Sequence, residues 1–216
     1  MVAAPLLYMV KEGMQQALET FVKNGGILVT GFMSGIVDQS DNVYLGGYPG
    51  PLRKLSGIWV EEIDALPPER CNTIRFADGK EAACRLLCEI IHSEGAETLA
   101  EFSSDFYAGH MAVTRNNYGE GSVFYIGTEL VSSAMDKVLG MVTEAAQIRS
   151  LTAEPTSLEI ACRESDERKL WFIMNFTDEV LPLPTEFAGK TDLLSGCELI
   201  CGTMLKKYET YLVCND

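Results

Sequence analysis

The stretch from residue 3 to residue 30 restricts the fold more than any other part of the chain. Residues 3–10 read as an apolar strand interrupted at Pro5, and 11–24 as an amphipathic helix. Val10, Met14, Ala17, Leu18, Phe21 and Val22 recur at helical spacing, and Lys11, Glu12, Gln15, Gln16, Glu19 and Lys23 fill the other face. Asn24-Gly25-Gly26 supplies residues that tolerate a left-handed backbone and so end the helix. Ile27-Leu28-Val29-Thr30 is the continuous apolar run of a strand covered on both faces. Strand, helix, glycine turn and strand make a βαβ unit with a right-handed crossover, so this part of the chain needs a parallel sheet.

Beyond Thr30 the chain changes character twice. Residues 31–68 carry Gly or Pro every few positions with little periodicity, and read as one long loop. Strands are expected at Asn72–Phe76, Cys84–His92, Glu97–Phe102, Ala112–Arg115 and Val123–Ile126, the last two joined by a hairpin turn over 116–121. Residues 132–147 read as a helix capped by Ser132 or Ser133, and 148–155 as a linker. From there on the pattern is all-β, with strands expected at Leu158–Arg163, Lys169–Phe176, Val180–Leu183, Lys190–Leu194, Cys197–Leu199 and Tyr208–Val213. The expectation is therefore an α/β domain over 1–149 followed by a small antiparallel β sandwich over 150–216.

The composition narrows the partners. The 216 residues include 17 Lys+Arg against 31 Asp+Glu, a net charge of −14 with no basic cluster. A nucleic acid or an anionic membrane would be repelled. The apolar start is too short for a membrane span, has no basic segment before it and reads as a buried strand. Seven cysteines without a C-x-x-C pair or an export signal point to reduced thiols and a cytoplasmic location. Cys84, Cys88 and His92 could line one helix face as metal ligands. The same residues also alternate on one strand face, and a structural zinc site wants four ligands, so core thiols are the reading adopted.

No constellation for chemistry stands out. The chain has two histidines, His92 and His110. Ser34 in Gly31-Phe32-Met33-Ser34-Gly35 follows a strand but is misplaced for a nucleophile elbow, and a turn serine is the better reading. Glu61, Glu62 and Asp64 could be imagined as an acid/base pair, but adjacent residues on a strand point to opposite faces, so Glu61 and Glu62 cannot easily flank one substrate. No catalytic, cofactor or metal residue is assigned. The 31–68 loop instead mixes aromatic, proline and basic residues of the kind that anchor interfaces. Tyr44, Tyr48, Pro49, Pro51, Leu52, Arg53 and Trp59 are the interface candidates, and packing on their own domain is the plainer alternative for the aromatics.

APLLYMV at 4–10, then FVKNGGILVTGFMSGIVDQSDNVYLGGYPGPLRKLSGIWVEEIDAL at 21–66, resemble one part of the glycoside hydrolase family 42 β-galactosidases. The resemblance continues through DFYAGHMAVTRNNYGEGSVFYIGTEL at 105–130, departing at His110-Met111, where the family usually has a small residue and Pro. LWFIMNFTDEVLPLP and DLLSGCEL are similar to the family's C-terminal β domain. The resemblance implies a middle, trimerising domain with a flavodoxin-like or amidotransferase-like parallel sheet and added antiparallel strands, clipped at its N-terminus, then the small β domain. It implies that the catalytic (β/α)8 barrel, which holds the two glutamates of the retaining mechanism, is outside this chain. The expected function is assembly of a β-galactosidase, with the catalytic barrel and further copies of the chain as partners. The alternatives are a stand-alone sugar-binding or regulatory module, or residual glycosidase activity from a site such as Glu61/Glu62 with Arg53.

Overall fold

A computed structural model describes residues 1–215. The chain divides into two compact units, Met1–Ile148 and Arg149–Asp216, each with its own core.

The first unit begins with the βαβ element, with β1 (Val2–Ala4) and β2 (Ile27–Gly31) parallel around α1 (Met14–Lys23). The strand expected over 3–10 stops at Ala4. Pro5 has no N–H to continue a ladder, and Leu6 turns the chain with φ 53°. At the end of α1, Gly25 takes φ 94° and Gly26 N–H bonds to Phe21 O. After the loop come α2 (Arg53–Ser56), β3 (Ile58–Ala65), β4 (Asn72–Phe76), β5 (Glu81–Ser93), β6 (Glu97–Phe102), β7 (Met111–Tyr118), β8 (Gly121–Ile126), β9 (Thr128–Leu130) and α3 (Ser132–Ala145). β3 corrects the expectation of continuous loop to residue 68: Ile58 and Val60 are buried and pair with β5. Val131, not Ser132 or Ser133, occupies the cap position of α3.

One nine-stranded sheet results, in the order β1-β2-β8-β7-β6-β4-β5-β3, with β9 alongside β5. β1, β2 and β8 are parallel and every other pairing is antiparallel. The parallel part explains the apolar run of β2. Ile27 and Val29 join Phe124, Ile126 and the buried face of α3 (Ala134, Val138, Val142) in one core. Leu28 joins Val123, Val22 of α1, Leu52 and Leu55 in another. Alternate side chains of a strand go to opposite faces, and here a helix covers each face.

The second unit is all-β. β10 (Glu159–Glu164), β11 (Lys169–Met174) and β14 (Thr210–Asn215) form an antiparallel sheet, and β12 (Leu181–Pro182) pairs with β13 (Met204–Leu205). Leu158, Ile173, Leu183, Phe187, Leu199, Leu205 and Val213 form their shared core. The strands expected at 190–194 and 197–199 reduce to a single bridge, Thr191–Glu198. Asp192 and the Ser195-Gly196 turn explain this. The Asp192 carboxylate accepts N–H bonds from Leu194, Ser195 and Leu212, which curls the segment into a turn instead of a ladder.

Candidate assembly surface

β2 delivers the chain into the glycine-rich segment through a series of backbone ties. Phe32 N–H bonds to Ile126 O at 2.8 Å, and Met33, at φ 58°, donates its N–H to Glu89 Oε1 at 2.9 Å. Ser34 is fully buried. Its Oγ accepts Leu7 N–H at 3.1 Å and shares a hydrogen bond with Thr30 Oγ1 at 2.8 Å. Ser34 is thus a structural turn serine. Asp38 then closes a tight turn, its carboxylate accepting the N–H groups of Ser40 and Asn42. Those bonds hold its pKa below the usual carboxylate range.

Glu89, on β5, is a residue that sequence reasoning does not single out. It is buried and accepts both Met33 N–H and Tyr125 O–H, the latter at 2.8 Å. Burial pushes its carboxyl up to about 7, against the lowering effect of those two donors. The only sequence signal is a carboxylate amid Cys88, Ile90 and Ile91, all of them buried.

The tip of the loop is held by Arg53 and Trp59. Arg53 Nε donates to Glu94 Oε2 at 2.6 Å, its Nη2 pairs with Glu94 Oε1, and its Nη1 donates to Gly46 O at 2.8 Å. The guanidinium also sits 5.6 Å from the Trp59 ring centre. Gly47, at φ 94°, lies so close to the indole that an added Cβ would come within 2.0 Å of Trp59 Nε1. Trp59 stacks on His92 at 4.9 Å, and His92 Nε2 hydrogen-bonds Glu61 Oε2 at 2.7 Å. Glu61 is the extra residue of a bulge in β3, between Val60 and Glu62.

The other candidates serve the same loop. Tyr44 O–H donates to Val10 O at 3.1 Å, Tyr48 bridges Val60, and the Tyr48–Pro49 bond is cis. Pro51 starts the short turn before α2, and Leu52 is buried in the core below. The side chain this framework leaves outside is Leu45, 96% exposed and absent from the sequence-based candidates, with Val43 at 54% nearby. Cys84, Cys88 and His92 do not form a metal cluster. The two cysteines are buried, His92 is occupied by Trp59 and Glu61, and no group of three or more metal-ligating side chains occurs among the described residues. Among the described residues no helix is long and apolar enough to cross a membrane.

A mixed sheet carrying a pinned, apolar-tipped loop, followed along the chain by a small all-β unit, defines a two-unit α/β-plus-β module. Residues 1–149 match the family model for the β-galactosidase trimerisation domain, and 157–199 match that for the β-galactosidase C-terminal domain. The chain belongs to the glycoside hydrolase family 42 β-galactosidases and comprises these two domains. It is 43% identical over 197 residues to beta-galactosidase LacA of Lactobacillus acidophilus, which takes in 91% of this chain and 29% of that protein. To beta-galactosidase BgaB of Geobacillus sp. (strain Y412MC61) it is 47% identical over 177 residues, 82% of this chain and 26% of the other. The crystal structure of a beta-galactosidase from Bacillus circulans sp. alkalophilus superposes with a TM-score of 0.91 at 35% identity, over all of this chain and 33% of that one. The chain thus spans about a third or less of the relatives it matches.

Proposed function

We propose that this chain is the non-catalytic assembly region of a β-galactosidase whose complete form hydrolyses terminal β-D-galactosides by a retaining mechanism in the cytoplasm. Its partners are further copies of itself, in a trimer, and the catalytic barrel of the complete enzyme. The observation that carries the reading is the match of residues 1–149 to the trimerisation domain, in a chain that covers only 29% of a full-length relative. The pinned loop supports it physically. A fully exposed leucine on an ordered framework is the form an interface anchor takes, because little loop entropy remains to be lost on contact. In this reading Tyr44, Tyr48, Pro49, Pro51, Leu52, Arg53 and Trp59 shape the loop, and Leu45 makes the central contact. Incubation of the purified chain with a chromogenic β-galactoside tests the absence of catalysis. No turnover is expected, and turnover abolished by Glu61→Gln would overturn the reading.

A further inference from the structure

β5 contains a dithiol that the assembly surface does not employ. Cys84 and Cys88 are four residues apart, which would hold them far from each other on a regular strand. β5 is not regular here. Cys84 opposes Leu130 and Arg85 opposes Glu129 on β9, yet Cys88 already opposes Thr128. Leu86 and Leu87 are extra residues of a wide bulge, and Leu86 takes φ 69° to make it. The bulge also divides the strand's pairing. Cys84 lies opposite Asn72 of β4, whereas Leu87 and Cys88 lie opposite Ala65 and Asp64 of β3.

The two cysteines are thereby compressed onto ladder positions two residues apart on β9, about 6.7 Å between Cα atoms by strand geometry. Cα atoms joined by a disulfide are usually about 4.4–6.8 Å apart. Both residues are fully buried and stand on the same face of the ladder, opposite Leu130 and Thr128. Cys88 Sγ also lies 3.8 Å from Thr128 Oγ1, close to Tyr107, whose hydroxyl donates to Asp64 Oδ2 at 2.9 Å. The contact with Cys84 holds Cys88 down at about 7 against the effect of burial, while Cys84 is pushed up.

We propose that Cys84 and Cys88 form a peroxide-sensitive redox pair, with Cys88 the attacking thiolate and Cys84 the resolving thiol, whose disulfide fixes the bulge of β5. The Cys88 thiolate attacks one oxygen of hydrogen peroxide. An S–O bond forms, the O–O bond breaks, and hydroxide leaves and takes up the proton that Cys88 had lost. The Cys84 sulfur then attacks the Cys88 sulfenic acid. The S–S bond forms, the S–O bond breaks, and the hydroxyl departs with the Cys84 proton as water. In sum, two thiols and one peroxide give one disulfide and two waters. A peroxide, no larger than a few atoms, suits a buried pair better than a bulky disulfide would.

The test uses the native chain. Accessible thiols are first blocked with iodoacetamide under folding conditions, hydrogen peroxide is added, and the chain is then unfolded, alkylated with a second reagent and digested with trypsin. Cleavage after Arg85 places the two cysteines on separate peptides, 81–85 and 86–115. The expected result is resistance of Cys84 and Cys88 to the first reagent, then recovery of these two peptides joined, two hydrogens lighter than their sum, and separated by dithiothreitol. In Cys84→Ser, peroxide added to the folded chain should leave Cys88 as a sulfenic acid, trapped when the chain is then unfolded into dimedone. Recovery of both cysteines with the second alkylating label after peroxide, or of Cys84 joined to Cys71, would overturn the proposal. So would reaction of either with the first reagent, or no dimedone adduct from a Cys84→Ser chain oxidised while folded and then unfolded into dimedone.

Discussion

Glu89 reaches across the sheet to accept the backbone N–H of Met33, 56 residues away, at 2.9 Å. This bond joins the buried middle of β5 to the first turn of the glycine-rich loop that follows β2. A carboxylate at that depth costs free energy unless it is hydrogen-bonded, so its two donors and its protonation state both bear on stability.

Glu89 should therefore leave a signature in the pH dependence of unfolding. Its folded pKa, about 7, lies above the ordinary value of 4.5, so the folded state holds the proton more tightly. The associated stability is fully present below pH 4.5 and is lost as pH rises through 7. The loss amounts to about 3 kcal/mol. Glu89→Gln removes the titration but keeps an amide oxygen for Met33. Urea unfolding of both chains between about pH 4.5 and 8, the span of that titration, should show the native curve falling relative to that of Glu89→Gln. Parallel curves would disprove the assignment.

Leu45→Ser should weaken self-association without unfolding the domain, since the side chain is almost wholly exposed in its own copy. Burying a leucine contributes roughly 1.5–3 kcal/mol, so the dissociation constant should rise about tenfold to a hundredfold. Sedimentation equilibrium measures it. Arg53→Ala, which frees Gly46 and Trp59 from their clamp, should weaken association less than Leu45→Ser does.

Self-association should also strengthen with salt. Each copy carries −14. Like charges brought together repel over a screening distance of about 10 Å at 0.1 M salt. An apolar anchor loses nothing to screening. Titrating sodium chloride from roughly 0.02 to 0.5 M, a range chosen to span that screening length, should lower the dissociation constant. A rise would indicate an interface held mainly by ion pairs.

In the second unit, Asn175→Ala should act on that unit's unfolding. Asn175 is fully buried and donates to Glu179 O and Leu205 O at 2.7 and 2.9 Å, while its oxygen accepts from Thr177 N–H and O–H. Removing it takes the Asn175 donor from the carbonyl of fully buried Leu205, at about 1–3 kcal/mol, while the exposed Glu179 carbonyl keeps the Thr177 hydroxyl. Calorimetry should show a lowered transition for residues 149–216 alone, and an unchanged trace would refute the role.

The sequence was most legible where one period governed a whole element. The α1 stripe and the apolar run at 27–30 became a helix and a doubly covered strand. It was least legible where distant contacts override local pattern. Ile58–Ala65 hides among glycines and prolines because its pairing partner, β5, lies far along the chain. In β5, alternation places Leu86 with Cys84 and Cys88, but the positive φ of the bulge turns Leu86 out to 53% exposure. The candidate loop was read from composition, which marks Trp59 and Arg53 as anchors. The structure uses them as a clamp on Gly46 and Gly47, and the exposed side chain is the unremarkable Leu45 next to them in the chain.

Size-exclusion chromatography with light scattering tests the central claim most directly. At high protein concentration and moderate salt, the proposal predicts a species with the mass of three chains that dissociates on dilution and is lost in Leu45→Ser. A strictly monomeric chain at every concentration and salt level would contradict it.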